Sequence, residues 1–392
     1  MYKLKGSYSL ESKPIIDNLL FILLCFYLMA FLHSFIFVSF QALDFIILNV
    51  VYLIPLFVLC MLRAFGKPLS FPSVKLVLIV FFISIVGKIA SRAGYANLFF
   101  QYSSVFDVRN NAVGGGWFSY LAIFFYPSCI CIFYLGKIYR FSKFIYCLIF
   151  GFLIFDMVFL AMRMTPMFVF LFWIIFNVNV LDKLKTAKSC FFMVFLAILL
   201  VVIFKETTEM KAYKSEMFDW AIHLNTTIST QVVSINSWVT DIHGFDYLKA
   251  YVFLSHYLYH SIGELSGYLL SDKVNFFNIT AQISKNATCS VLKCLPDEDY
   301  YRVGAYKTMY FDFINDFGLI FGVILLALLL AIFMLSCFKL SRLSLNTFVI
   351  LVVICLSPIL NFVYGGMGLF QLMCIPIITM GSFFVTRRNF GS

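Results

Sequence analysis

Charge is what this chain has least of. Only 12% of its 392 residues are Asp, Glu, Lys or Arg, and the acidic ones number 19. A water-soluble globule carries about twice that charged fraction, so a soluble enzyme or soluble binding module is excluded. Nucleotide-handling and hydrolase loops are lacking too. There is no Walker A loop, no Gly-x-Gly-x-x-Gly following a strand, no Gly-x-Ser-x-Gly elbow and no CxxCH haem attachment. ATP-driven transport and serine-triad hydrolysis fall away with them. No HExxH pattern, and no DxD-type pair near His256 and His260, suggests a metal, and no cofactor is expected. Low-complexity linkers and repeats of fixed period are also missing, so residues 1–392 read as a single membrane domain.

What is present is apolar. Hydrophobic residues make up 62% of the chain, 50 residues are Phe, and the mean hydropathy is +0.95. These values describe an integral membrane protein that crosses the bilayer many times. Runs long enough to cross can be read at about 15–38, 44–62, 74–90, 117–135, 143–161, 164–180, 189–204, 314–337, 345–364 and 367–385,. The first is too long for the apolar core of a cleavable signal and has no small-residue cleavage motif, so it is expected to be a retained span.

The net charge of +10 is no nucleic-acid footprint, because the basic residues fall in small clusters between apolar runs. Alternate connections hold Lys3, Lys5 and Lys13; Arg63, Lys67 and Lys75; Lys137, Arg140 and Lys143; Lys183, Lys185 and Lys188; Lys339 and Arg342; and Arg387 and Arg388. The short connections of the other side hold only Arg92, Arg109 and Arg163. About ten spans with both chain ends in the cytoplasm satisfy the rule that basic residues stay inside.

Arginine on the avoided side needs a local reason. Arg163 stands alone in "LAMRMTPMFVFLFWII", in a very short turn between two apolar runs, and Arg92 and Arg109 bracket "SRAGYANLFFQYSSVFDVRNNAVGGGW". Contact with lipid headgroups accounts for one such residue as well as a function does. Three of three point to an anion site.

The long connection, residues 205–310, also faces outward. Within it, "YVFLSHYLYHSIGELSGYLL" is apolar enough to cross, but a crossing would flip the two C-terminal basic clusters outside. It is therefore expected to be a re-entrant or interfacial helix. His256, His260 and Glu264 are spaced i, i+4, i+8 on it and share one face. Such a row can supply a general base beside a hydrogen-bonding partner, and it can equally be the wet stripe of a helix resting on the membrane. Arg302 follows in "YYRVGAYK", where it can join an anion site or pair with the adjacent "PDEDYY",. The loop aromatics, Trp220, Trp238, Tyr247, Tyr251, Tyr257 and Tyr259, suit sugar stacking and interfacial anchoring equally. A disulfide between Cys289 and Cys294 stays open, because a ring with four intervening residues is strained as easily as relaxed,. The remaining cysteines lie mostly within apolar runs as packing residues. Ionisable residues deep within spans are few, Lys88 and Asp156 being the exceptions.

The pattern resembles the O-antigen polymerase (Wzy) family of bacterial surface-polysaccharide assembly. The likeness lies in ten or more spans, cytoplasmic ends and one large periplasmic loop in the second half of the chain. Local echoes are "MRMTP" with Arg163, "HGFDYL" with Gly244 and Tyr247 ahead of the loop helix, and "NDFGLIFG" with Asp316, Phe317, Gly318 and Gly322 entering the next span. At Met162 the family often has a small Ser or Gly.

The resemblance implies an all-α polytopic protein of the bacterial inner membrane with its active site facing the periplasm. It implies transfer of a growing glycan from undecaprenyl pyrophosphate to the non-reducing end of a fresh undecaprenyl-pyrophosphate-linked repeat unit. Arg163, Arg302, Arg109 and Arg92 would hold the pyrophosphate, and His260, Glu264 or His256 would act on the acceptor. The implied partners are the lipid-linked oligosaccharide, membrane lipid, a Wzz-type chain-length regulator and a Wzx-type flippase, and no nucleic acid. An O-antigen ligase that passes glycan to lipid A core shares the layout. A lipid-linked oligosaccharide flippase would have similar spans but change no bond.

Overall fold

A computed structural model describes residues 2–4, 11–39, 41–96, 117–158, 164–178, 201–206, 235–241, 245–270, 317–360 and 372–379, with scattered positions elsewhere between 191 and 222 and at 310 and 314. Among them the protein is mostly helical. Strand β1 (Tyr2–Leu4) is followed by α1 (Lys13–Ile36), α2 (Ala42–Phe65) and α3 (Val74–Ala96). A 3-10 helix (Trp117–Phe124) runs directly into α4 (Phe125–Leu135). Then come strand β2 (Tyr139–Phe141), α5 (Lys143–Val158) and α6 (Met164–Asn177). The short α7 (Ser237–Asp241) and the long α8 (Asp246–Leu269) belong to the connection at 205–310, and α9 (Leu319–Lys339) and α10 (Leu345–Leu356) follow it.

Four helices, α1, α2, α3 and α9, are long and apolar enough to cross a membrane. Residues 120–135, 165–177 and 345–356 form shorter apolar helices. The outer faces of these helices are apolar, as the surface of a membrane-embedded bundle is,. Leu24, Leu28 and Leu32 on α1 are exposed, as are Ile46, Val50, Leu53 and Phe57 on α2, and Ile320, Ile324, Leu328, Ile332 and Leu335 on α9. Each set repeats at helical spacing, so each forms a continuous apolar stripe far beyond what a soluble surface tolerates. The inner faces carry the core, including Tyr52, Phe81, Phe125, Phe133, Tyr134, Phe172, Phe176 and Phe348, all fully buried. Pro55 sits within α2, which neighbouring helices make tolerable in a membrane segment.

One end of the bundle is tied together by backbone and lysine contacts. Strand β1 pairs antiparallel with β2, Lys3 opposite Arg140. Ser12 N–H donates to the Lys67 carbonyl at 2.8 Å, and Lys67 N–H returns a bond to Ser12 Oγ at 2.9 Å. Lys67 Nζ donates to the carbonyls of Cys337 (2.8 Å), Phe338 (2.7 Å) and Leu340. A cation there satisfies the free carbonyls at the C-terminus of α9 and opposes its dipole. Leu343 N–H donates to Pro68 O (2.9 Å) and Ser70 N–H to Leu343 O (2.8 Å). Arg63 pairs with Asp17. Four of the basic connections thus meet at one end, as the alternation of lysine clusters requires.

The expected span at 117–135 begins as a 3-10 helix. Its path is set by close packing on α3: a Cβ on Gly87 would lie 2.5 Å from Ala122 N and 2.6 Å from Leu121 Cβ. Only glycine leaves room for that approach. Gly87→Leu is therefore expected to lower stability by about 1–3 kcal/mol, read as a fall in the thermal unfolding midpoint of detergent-solubilised protein. Gly151→Ala, whose Cβ meets nothing within 4 Å, should leave that midpoint unchanged or raise it.

Candidate functional site

The buried polar side chains at the opposite end form two clusters. The first joins α3, α4 and α5. Lys88 Nζ lies 2.5 Å from Asp156 Oδ2, and Arg92 Nη2 lies 2.8 Å from Asp156 Oδ1. Tyr126 donates its hydroxyl to Asp156 and accepts from Lys88 Nζ at 2.9 Å. Lys88 also lies over the Tyr126 ring, 4.2 Å from its centroid. Lys88 is 2% exposed and Asp156 fully buried. Lys88 and Arg92 stand at i and i+4 on α3, so both reach one carboxylate from the same face. Such an arrangement lets two cations and a carboxylate sit in an apolar bundle.

Continuing down the same stripe of α3, Ser84, Ile83, Val80 and Leu76 line an open apolar cavity of about 250 Å³, bordered by Leu121, Phe124, Ile377 and Ile378. An apolar cavity thus lies one helical turn from the charges.

The second cluster lies where α8 meets the last turn of α1 and the first turns of α2. The segment before α8 is anchored to the end of α1: Asn236 N–H donates to Phe37 O at 3.0 Å, Asn236 Nδ2 to Ile36 O at 2.8 Å and Trp238 Nε1 to Ile36 O at 3.2 Å. Tyr251 packs edge-on against Phe37. One turn further, Ser255 Oγ lies 2.7 Å from His33 Nδ1. His33 faces His256 at 5.6 Å and Tyr259 at 5.4 Å between ring centroids, and His256 faces His260 at 6.3 Å. Tyr52 of α2 donates to Leu258 O at 2.9 Å. Asp44, three residues into α2, closes a capping box with Gln41 through Oδ2. Its carboxylate approaches the hydroxyls of Tyr259 and Ser266.

The polar stripe of α8 therefore faces α1 and α2 rather than water: His256 is 7% and His260 1% exposed. The Tyr259 and Ser266 hydroxyls thus have the Asp44 carboxylate as partner, whereas His33 Nε2 closes no hydrogen bond. Leaving one such group unmatched costs about 1–3 kcal/mol.

Of the residues expected at the site, His256 meets His33 of α1 and His260 lies beside His256 on α8. Arg92 is turned onto Asp156. Arg109, Arg163 and Arg302 lie outside the described residues, as do the Glu264 side chain and the pair Cys289 and Cys294. Lys88 and Asp156, singled out as charges within spans, prove to be partners. His33 and Asp44 were missed: each is a lone ionisable residue in an apolar run, a signal that marks function by default in a membrane segment. Among the described residues, no three His, Cys, Asp or Glu side chains are placed to hold a metal ion.

Compared with protein-family models, with curated proteins and with solved structures, the chain matches none.

The ion cluster makes a clear mutational prediction. Asp156→Ala strands two cations at once and is expected to destabilise the protein by about 3–5 kcal/mol. Lys88→Met should cost less, since Arg92 still meets the carboxylate. Thermal unfolding of both variants in detergent checks the order.

Proposed function

We propose that this protein is a multi-pass glycosyltransferase of the bacterial inner membrane. It takes the growing glycan from undecaprenyl pyrophosphate and joins it to the non-reducing end of a new lipid-linked repeat unit, with about ten spans, both ends cytoplasmic and residues 205–310 forming a large periplasmic loop. The observation that carries this reading is the gathering of His33, His256, His260, Tyr259 and Asp44 beneath a helix of that loop, at the end away from the lysine-rich connections. Titratable and hydroxyl groups at the edge of an apolar bundle are what an acceptor hydroxyl needs in order to lose a proton beside a lipid-borne leaving group.

The apolar cavity one turn from Lys88 and Arg92 supports a lipid substrate, since a polyprenyl tail needs an apolar groove and its phosphates need cations nearby. Arg163, Arg302, Arg109 and Arg92 neutralise the leaving pyrophosphate in this reading, as guanidinium groups bind phosphate oxygens in pairs. His260, Glu264 or His256 assists the acceptor. The leaving group is already activated, so no nucleotide enters the reaction. A Wzx-type flippase would deliver the substrate and a Wzz-type protein would set chain length.

A transport reading is favoured by one feature, the buried Lys88, Arg92 and Asp156, since transporters place charges within their spans. The two readings differ in bond formation. Purified protein in liposomes with the lipid-linked repeat unit is expected to yield a ladder of longer glycans. Arg163→Ala should remove the long products while the protein level is unchanged. Translocation without any change in glycan length identifies a transporter, and transfer to lipid A core alone identifies a ligase.

A further inference from the structure

One segment of the bundle is wound in a way that its own sequence does not require. Residues Trp117–Phe124 read "WFSYLAIF", with neither Gly nor Pro, yet they form eight residues of 3-10 helix that run straight into α4. Runs of 3-10 helix beyond three or four residues are uncommon, and within a longer helix they often mark a hinge. Nothing in the local sequence bars the α form, so the neighbours impose the tighter winding.

Those neighbours grip the segment at two places. On α3, the missing side chain of Gly87 admits the backbone of Leu121 and Ala122, so closely that a Cβ there would lie 2.5 Å from Ala122 N. At the junction with α4, Phe125 stacks on Phe81 and meets Phe152 edge-on, with Lys88 Nζ 5.3 Å from its ring centroid. Tyr126 follows, its hydroxyl donating to Asp156 and accepting from Lys88 Nζ. The first two residues of α4 are thus pinned to α3 and α5 through the buried ion cluster.

The winding decides what the segment presents. Side chains three positions apart eclipse in a 3-10 helix. Trp117 and Tyr120 accordingly form one outward column, 87% and 63% exposed, with ring centroids 6.0 Å apart. Leu121 and Phe124 form another, which lines the apolar cavity. Wound as an α-helix, Leu121 and Phe124 would diverge by about 60°, and the cavity would lose that wall. The segment would also shorten by about 4 Å, because the rise per residue falls from about 2.0 to about 1.5 Å.

We propose that residues 117–124 are a two-state gate. The 3-10 form exchanges with an α form continuous with α4, and the Tyr126 hydroxyl, held by Lys88 and Asp156, is the latch on the 3-10 form. The state of the ion cluster is thereby transmitted to the cavity, one wall of which stands in one form and is dismantled in the other. Packed elements with two discrete arrangements turn small local changes into shifts of this kind. The gate does not depend on the bond that the protein makes, so it and the glycosyltransferase reading stand or fall separately.

The test uses the full chain in lipid nanodiscs, with spin labels carried on noncanonical residues at positions 117 and 140. Both positions are exposed, and Arg140 is held by the pairing of β2 with β1. Pulsed dipolar EPR then reads the length of the segment together with α4. Tyr126→Phe removes the latch and leaves Asp156 its two cations, and Gly87→Ala closes the room for the 3-10 backbone. Each is expected to move the main distance about 4 Å shorter than in wild type. Gly151→Ala, whose Cβ meets nothing within 4 Å, should leave it in place. Movement in Tyr126→Phe, with or without movement in Gly87→Ala, supports the gate. Movement in Gly87→Ala alone keeps the exchange and overturns the latch. An unmoved distance in both variants, or a broad distribution without the shorter peak, overturns the gate.

Discussion

A charge or hydroxyl removed from water into an apolar bundle must be met by another protein group or by something bound. That requirement organises the molecule. At the lysine-rich end it is met by chain crossings, where Lys67 caps the carbonyls of α9 and Ser12 exchanges bonds with residue 67. Around Asp156 it is met by two cations and a phenol. Beneath α8 it is met across three helices, by the Asp44 carboxylate against the Tyr259 and Ser266 hydroxyls and by Ser255 against His33.

The Asp156 cluster illustrates why such charges persist. Replacing a buried ion pair with well-packed apolar residues is often neutral or stabilising, so the gain from Lys88 and Arg92 does not lie in stability alone. They link the end of α3 to α5 and keep positive charge beside an apolar cavity. For a substrate with a phosphate head and a hydrocarbon tail, that juxtaposition matters more than the net energy of the pair.

Much of the scaffold was legible in the sequence, because spans are set by length and apolarity alone. Residues 15–38, 44–62 and 74–90 were expected to be spans, and helices cover 13–36, 42–65 and 74–96. The face shared by His256 and His260 follows from helical spacing, and the oddness of Lys88 and Asp156 from their apolar surroundings. The pairings were not legible. His33 meets His256 across more than two hundred positions, and Asp44 reaches Tyr259 from another helix. Nothing local in "AFLHSFI" or "ALDFI" encodes those contacts, which arise only when α8 lies across α1 and α2. The 3-10 start at Trp117 was hidden for a similar reason, since it answers to the absent side chain of Gly87 on a neighbouring helix.

The ties at the lysine-rich end also impose an order on biogenesis. Strand β1 comprises residues 2–4, yet its partner is residues 139–141, so it stays unpaired until α4 has been synthesised. Lys67 waits longer still, for the carbonyls at 337–340. The ties between residue 67 and residues 337–340 can therefore close only after α9 has been made. A truncated product ending before α9 would retain its membrane segments and lack the clasp that holds their ends in register.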